Sequence, residues 1–271
     1  MKFLIKEEWE KILNKLGFNK NNSKESLIEK VFFEISQRMK ELTARKGLDH
    51  ITYGIAMTLF QYYVCFNDIR TIDKVEICYA CLYMSLKIQF YNYYIKDFIS
   101  DYKSYVKDIP GYEKKEKPDL IKYEIQLYSK LGYDLDIETP FHFFYNLLPN
   151  FYAKFPFMNS KENFDKLKNF CFNLINDTYT RPLSIFYHPK IIYLSCLIFS
   201  LKFLDYTECD INELTKNERL DLIGECMEKI YEIYSRYIEN KLDKEELNIK
   251  NNNQNINTDE KLKNDQETKI N

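Results

Sequence analysis

Cysteines, histidines and closely spaced acids are the side chains best equipped for chemistry, and each set can be weighed against what a reaction needs. Cys78 and Cys81 form a lone C-x-x-C in "CYAC". Tetrahedral zinc takes four ligands, and no second cysteine pair or nearby histidine cluster supplies the rest. A thioredoxin-like role needs a β-α-β setting, whereas these thiols sit inside an uncharged helical stretch and read as packing groups. His50, His142 and His188 are far apart, each near the expected start of a helix, so surface or capping roles suffice. Nothing pairs one of them with a nucleophile. "DLDIE" alternates Asp134, Asp136 and Glu138, but the remaining ligands and the glycine of a calcium loop are missing. No Gly-rich phosphate loop occurs. These residues supply no catalytic set, no metal site and no cofactor site.

Chemistry of another kind is written twice. "CLYMSLK" (81–87) and "CLIFSLK" (196–202) share five of seven residues, 115 positions apart. At the same offset Met57 falls on Phe172, Leu59 on Leu174, Phe60 on Ile175 and Ile77 on Ile192. A period of this length is domain-sized, too long for a solenoid array. It predicts two similar helical bundles, each wrapped around an uncharged central helix that ends in a lysine. A lysine there can lay its stem along apolar neighbours and turn its ammonium to water and the last carbonyls. Lys202 does this as well as Lys87, so the repeat alone gives Lys87 no special role.

The elements that must position these residues are helical. From Ser23, the residues Leu27, Ile28, Val31, Phe32, Ile35, Met39 and Leu42 recur at spacings of three and four until Gly47. Asp49 caps a second helix to about Phe66. Asp73 with Glu76 makes a capping box for a third, uncharged between Ile77 and Leu86, as a helix enclosed on all sides should be. A Tyr-rich helix is expected at 91–106, then a solvated loop, "KDIPGYEKKEKP". Asp119 caps a fifth helix that ends near Gly132. Thr139 caps the next, with Pro140 at its first position. Further helices are expected at about 161–180, 189–204 and 216–239. No segment reads as a strand, so the fold class is all-α.

Composition narrows the rest. With 39 basic and 41 acidic side chains the net charge is −2, which gives no footprint for nucleic acid or a membrane surface. The 23 Tyr and 20 Phe are interleaved with aliphatics at helical spacing and read as core and interface. Seven cysteines, an odd number scattered through apolar runs, read as reduced thiols of an intracellular protein. "MKFLIKEEWEK" places acids where a secretory leader needs an apolar run. A nuclear or cytoplasmic location is expected. Trp9, the single tryptophan, is expected to anchor an N-terminal helix. From Asn248 the Asn-, Lys- and Asp-rich run buries too little apolar area to order, so 241–271 is expected to be a disordered tail.

In order along the chain, several motifs resemble those of the cyclin family, its transcription-type members of the C and H kinds above all. "YACLYMSLKI" is similar to the central helix of a first cyclin box, ending at the family lysine. "YEIQLYSKLGYDLDIETPFHFFYNLL" resembles the fifth helix, its glutamate and the passage into the second box. "NLINDTYTRPLSIFYHPKIIYLSCL" resembles the second box, and "KFLIKEEWEK" the start of cyclin C. The resemblance covers about residues 1–240. It implies an N-terminal helix (1–22), a kinase-binding five-helix box (23–138), a second five-helix box (139–240) and then the tail.

It also implies a regulatory subunit, without catalysis of its own, of a cyclin-dependent kinase of the transcription-associated class. In the family, the first box packs on the mobile helix of the kinase small lobe and sets the kinase's lysine–glutamate pair. The family lysine falls on Lys87 and its glutamate on Glu124; Ile88 and Tyr128 would supply apolar contact. The H-type likeness implies an assembly factor as third subunit, the C-type likeness a Mediator-like module, and both stay open. A two-box initiation factor that binds DNA and polymerase is the alternative, but it calls for a zinc ribbon and a basic face. The chain departs from the family in three places. Gln89 and Phe90 follow Lys87 where two acids are usual. Arg38 replaces the tryptophan of the substrate-docking patch of cell-cycle cyclins, so docking there is not implied. Gln61 stands where a buried aspartate is usual.

Overall fold

The computed structural model describes residues 22–92, 94–107, 109–112, 118–132, 134–154, 160–206, 214–216 and 218–235, and every regular element among them is helical. The expected N-terminal helix with Trp9 and the expected tail lie outside the described residues, apart from Asn22. The helices include α1 (Asn22–Arg45), α2 (His50–Phe66), α3 (Lys74–Ile88), α4 (Ile95–Val106), α5 (Leu120–Leu131), α6 (Pro140–Lys154), α7 (Lys161–Thr178), α8 (Leu183–Phe186) and α9 (Pro189–Phe203), and residues 220–235 are helical as well. The chain divides into two compact units, Met1–Met227 and Glu228–Asn271. The described part of the second, 228–235, is helical; all that follows concerns the first.

Capping chemistry sets most boundaries. Asp49 accepts from the Thr52 N–H at 2.7 Å, Asp73 from Glu76 at 3.1 Å and Asp119 from Lys122 at 3.3 Å, each satisfying an otherwise orphaned donor. At α6 the Thr139 N–H donates to His142 Nδ1 at 3.0 Å, and at α9 the Lys190 N–H donates to His188 Nδ1 at 3.2 Å. Two of the histidines are thus capping groups. Burial, against the pull of Glu138, holds the His142 imidazole below its ordinary pKa, which keeps Nδ1 free to accept.

Apolar spacing sets the packing. Val31, Phe32, Ile35, Met39 and Leu42 of α1 are buried, as are Phe98, Tyr102 and Val106 of α4. Tyr79 of α3 receives Phe98 and Tyr102 edge-on at 5.4 and 4.9 Å. The sequence singles out α3 as the central helix of the first bundle, but α2 is as deeply enclosed: Thr52 through Cys65 are all buried. α2 packs on α1, α3, α5, α6 and α8, while α9 packs on α6, α7 and α8. α2 therefore belongs to both groups of helices. Its Gln61, fully buried, donates from Nε2 to the Arg181 carbonyl at 2.7 Å and accepts from the Ser184 N–H at 3.2 Å. Nearby, Arg181 pairs with Glu29 of α1 at 2.7 Å.

The 115-residue offset holds in the backbone. After α3, Tyr91 N–H bonds to the Leu86 carbonyl at 2.9 Å and Phe90 N–H to Lys87 at 3.1 Å, with Phe90 at φ 55°. After α9, Tyr206 N–H bonds to Leu201 at 2.9 Å and Asp205 N–H to Lys202 at 3.2 Å, with Asp205 at φ 59°. Both ends are Schellman motifs, built on matching positions of the repeat. This motif also corrects one boundary. α4 begins at Ile95, not at 91, because Phe90 and Tyr91 complete the cap of α3.

Gly54 shows how closely α2 is packed. An added Cβ would lie 2.8 Å from Tyr179 Oη and 3.1 Å from Thr139. The Tyr179 ring, fully buried between Tyr53 and Phe141, has nowhere to swing. Helix propensity favours alanine by about 1 kcal/mol, but overpacking costs roughly 1–3 kcal/mol, and the crowded hydroxyl makes the second effect win. Gly54→Ala should lower the thermal unfolding midpoint by several degrees, and adding Tyr179→Phe should recover most of that loss.

Candidate functional site

Buried thiols do not form a site. Burial pushes Cys65 and Cys78 up to about 12 and Cys81 well above its ordinary value, so the reactive thiolate is suppressed. Among the described residues, no group of three or more His, Cys, Asp or Glu is placed to hold a metal ion, and no helix is long and apolar enough to cross a membrane. Asp136 and Glu138 line a hollow of about 190 Å³ with Thr58, Ser184 and His188. Asp136 donates its N–H to Asp134 Oδ1 at 3.2 Å, a turn contact rather than a ligand geometry.

Lys87 and Glu124 do come together. Lys87 lies in the last turn of α3, and α5 packs on α3 with Glu124 facing it, so Lys87 Nζ donates to Glu124 Oε1 in an ion pair. The side chains are 42% and 18% exposed, which places the pair at the surface of the fold, with Lys87 the more accessible of the two. The ammonium also lies 5.3 Å from the Tyr83 ring centroid. Partial burial opposes the charge on Lys87, but the Glu124 hydrogen bond and charge outweigh it and raise the pKa above the ordinary lysine value. Burial likewise raises the Tyr128 phenol, with Lys87 pulling the other way. Both groups keep their protons at neutral pH. Lys202 is exposed and, among the described residues, has no ion pair. The repeat is symmetric in backbone and asymmetric in charge pairing.

Apolar groups frame the pair. Ile88 and Tyr128 are half-buried beside it. On α5, Leu120, Tyr123 and Leu127 turn inward, which leaves Ile121, Glu124, Ile125 and Tyr128 along one outer stripe at spacings of three and four. Ile121 and Ile125 are 65% and 62% exposed, and after α3 Phe90 and Tyr94 are 92% and 78% exposed. The sequence names Lys87, Glu124, Ile88 and Tyr128 as candidates, and the structure adds Ile121, Ile125 and Phe90 as exposed apolar side chains on the same two elements or the cap that follows α3. The signal was there in α5: two isoleucines four apart, out of phase with the buried face.

The two remaining departures have plain structural outcomes. Arg38 pairs with Glu34 at 3.3 Å, and Lys74 joins Glu34 at 2.6 Å, so the hollow lined by Phe33, Glu34, Gln37, Arg38 and Glu41 is a charged surface. Gln61 has backbone partners instead of an arginine.

No family model matches this sequence, and no curated protein matches it. Solved structures do. A chain in the structure of the CAK complex from Chaetomium thermophilum bound to ATP-γ-S is 14% identical, with a TM-score of 0.57 over 76% of this chain. The chain spans 63% of the length of that one. A chain of the yeast TFIIK (Kin28/Ccl1/Tfb3) complex is 18% identical, with a TM-score of 0.56, covering 85% of this chain and 96% of that one. A chain of the yeast RNA Pol II CTD kinase CTDK-1 complex is 13% identical, with a TM-score of 0.69, covering 86% and 73%. At these identities the likeness is one of fold, and the fold is of the cyclin-box type that the motifs imply.

Proposed function

We propose that this chain is the regulatory subunit of a cyclin-dependent protein kinase of the transcription-associated class, acting in the nucleus and holding no catalytic residues itself. Residues 23–138 form the kinase-binding box and 139–240 the second box. The observation that carries this reading is the Lys87–Glu124 pair at an open rim framed by Ile88, Tyr128, Ile121 and Ile125. Support comes from the fold shared with chains of the CAK, TFIIK and CTDK-1 complexes.

The chemistry of such a rim suits one kind of partner. An ammonium offers three donors to backbone carbonyls, and a carboxylate accepts from N–H groups. Together they can satisfy the exposed backbone at the end of a partner's helix, while the isoleucines cover its apolar face. The gain to the kinase is positional: its mobile helix is held where its lysine–glutamate pair forms and phosphoryl transfer can run.

Co-expression of the full chain with transcription-class cyclin-dependent kinase subunits should yield a stable heterodimer with raised kinase activity. The interface should exceed about 2,000 Å². A purified, folded chain that joins none of these kinases and raises the activity of none refutes the proposal.

A further inference from the structure

Phe90 combines two properties that rarely meet. It is the most exposed of the described large apolar side chains, at 92%, and it holds φ 55°. The left-handed region costs a non-glycine residue roughly 1–2 kcal/mol, and for a bulky side chain it is a true outlier. The backbone cannot relax easily. Phe90 N–H and Tyr91 N–H close the Schellman motif on Lys87 and Leu86, and Tyr91 Oη donates to Asp49 Oδ2 at 2.9 Å.

The same motif appears twice more, and the comparison is internal. After α1 its left-handed position is Gly47, at φ 62°, with Gly47 N–H on Ala44 and Leu48 N–H on Thr43. After α9 it is Asp205. Glycine and aspartate are residues that this conformation accommodates. Only the copy beside Lys87 carries a large aromatic. So exposed a side chain adds little to the core, so folding does not explain its choice. Backbone strain held at one exposed position marks a contact made with something else.

We infer that Phe90 is the anchor through which this chain selects its kinase: the ring enters an apolar pocket of the catalytic subunit beside the helix held by Lys87 and Glu124. This deepens the proposed function and rests on it. The occupant follows from continuity with the rim, since Phe90 lies three residues from Lys87 on the same cap. A buried aromatic at the centre of an interface is the kind of residue on which binding energy concentrates. The αL backbone aims the ring in advance, which lowers the ordering cost of association.

The test uses the full chain and the kinase subunit recovered with it by co-expression, purified separately and titrated by calorimetry. Phe90→Gly should raise the melting temperature of the free chain by about 2–4 °C, through relief of strain, and weaken kinase binding at least tenfold. Phe90→Asn should do the same to binding, and Phe90→Leu should retain most of the affinity. A lower melting temperature for Phe90→Gly overturns the strain argument. Unchanged affinity for both Phe90→Gly and Phe90→Asn overturns the anchor, while a continuing dependence on Glu124 leaves the wider function standing. Failure of the wild-type chain to bind any kinase overturns both. A wild-type dimer in sedimentation that Phe90→Gly dissolves assigns the ring to a second copy and refutes the kinase pocket.

Discussion

Glu124→Ala should weaken the kinase heterodimer by about 2–5 kcal/mol, the usual cost of truncating one partner of a buried, hydrogen-bonded charge pair at an interface. Lys87→Ala should do so by a similar amount, whereas Lys202→Ala should leave binding intact. The free chain should hardly notice: the pair is solvent-accessible at the rim, and such pairs contribute about 0–1 kcal/mol to stability. A charge swap, Lys87→Glu with Glu124→Lys, separates a structural role from a binding one. If the two residues only hold α3 to α5, the swap restores binding. If they satisfy carbonyls and N–H groups of a partner helix, the swap sets acceptor against acceptor and binding stays lost. We expect the second outcome, measured by titration with melting temperatures as the folding control. Full binding by both single alanine variants would falsify the site and leave the fold untouched.

What the sequence disclosed and what it concealed follow from range. A cap acts over three or four residues, so Asp49, Asp73, Asp119 and Thr139 could be read directly, and each stands at the start of a helix. The Gly47 stop is as local. Lys87 and Glu124 are 37 residues apart and became a pair only through ordered motifs, since no spacing rule joins two helices. Phe90 was visible as a departure, but its meaning depends on φ and exposure, which no residue pattern encodes. α8 escaped notice because one turn has no period. The role of α2 was underestimated because a helix buried on all sides has no polar face to contrast with. Its residues Ile51 to Phe66 carry no charge at all, a sign as strong as the one found in α3.

Gln61 reaches further along the chain than the Lys87–Glu124 pair, and its removal should have the second large effect. Its amide is matched on both sides: Nε2 donates to the Arg181 carbonyl, with Tyr179 at 3.4 Å, and Oε1 accepts from the Ser184 N–H. These partners lie 118 to 123 residues further along, in the turn that leads into α8 and at the start of α8 itself. Gln61→Leu keeps the volume but leaves buried backbone groups unpaired, at roughly 1–3 kcal/mol each. A total loss of about 2–4 kcal/mol is expected, read as a lower urea midpoint with an unchanged slope. Gln61→Glu should fare no better. It still accepts from Ser184, but it turns a carboxylate oxygen toward two carbonyls, so its pKa must rise or the turn must open. A reduced slope would mean that the 179–184 turn detaches on its own while the rest stays folded. In that case Gln61 would be a local fastening only. An unchanged slope means that the first helices and the α8–α9 segment unfold as one, with this single amide among the bonds that join them.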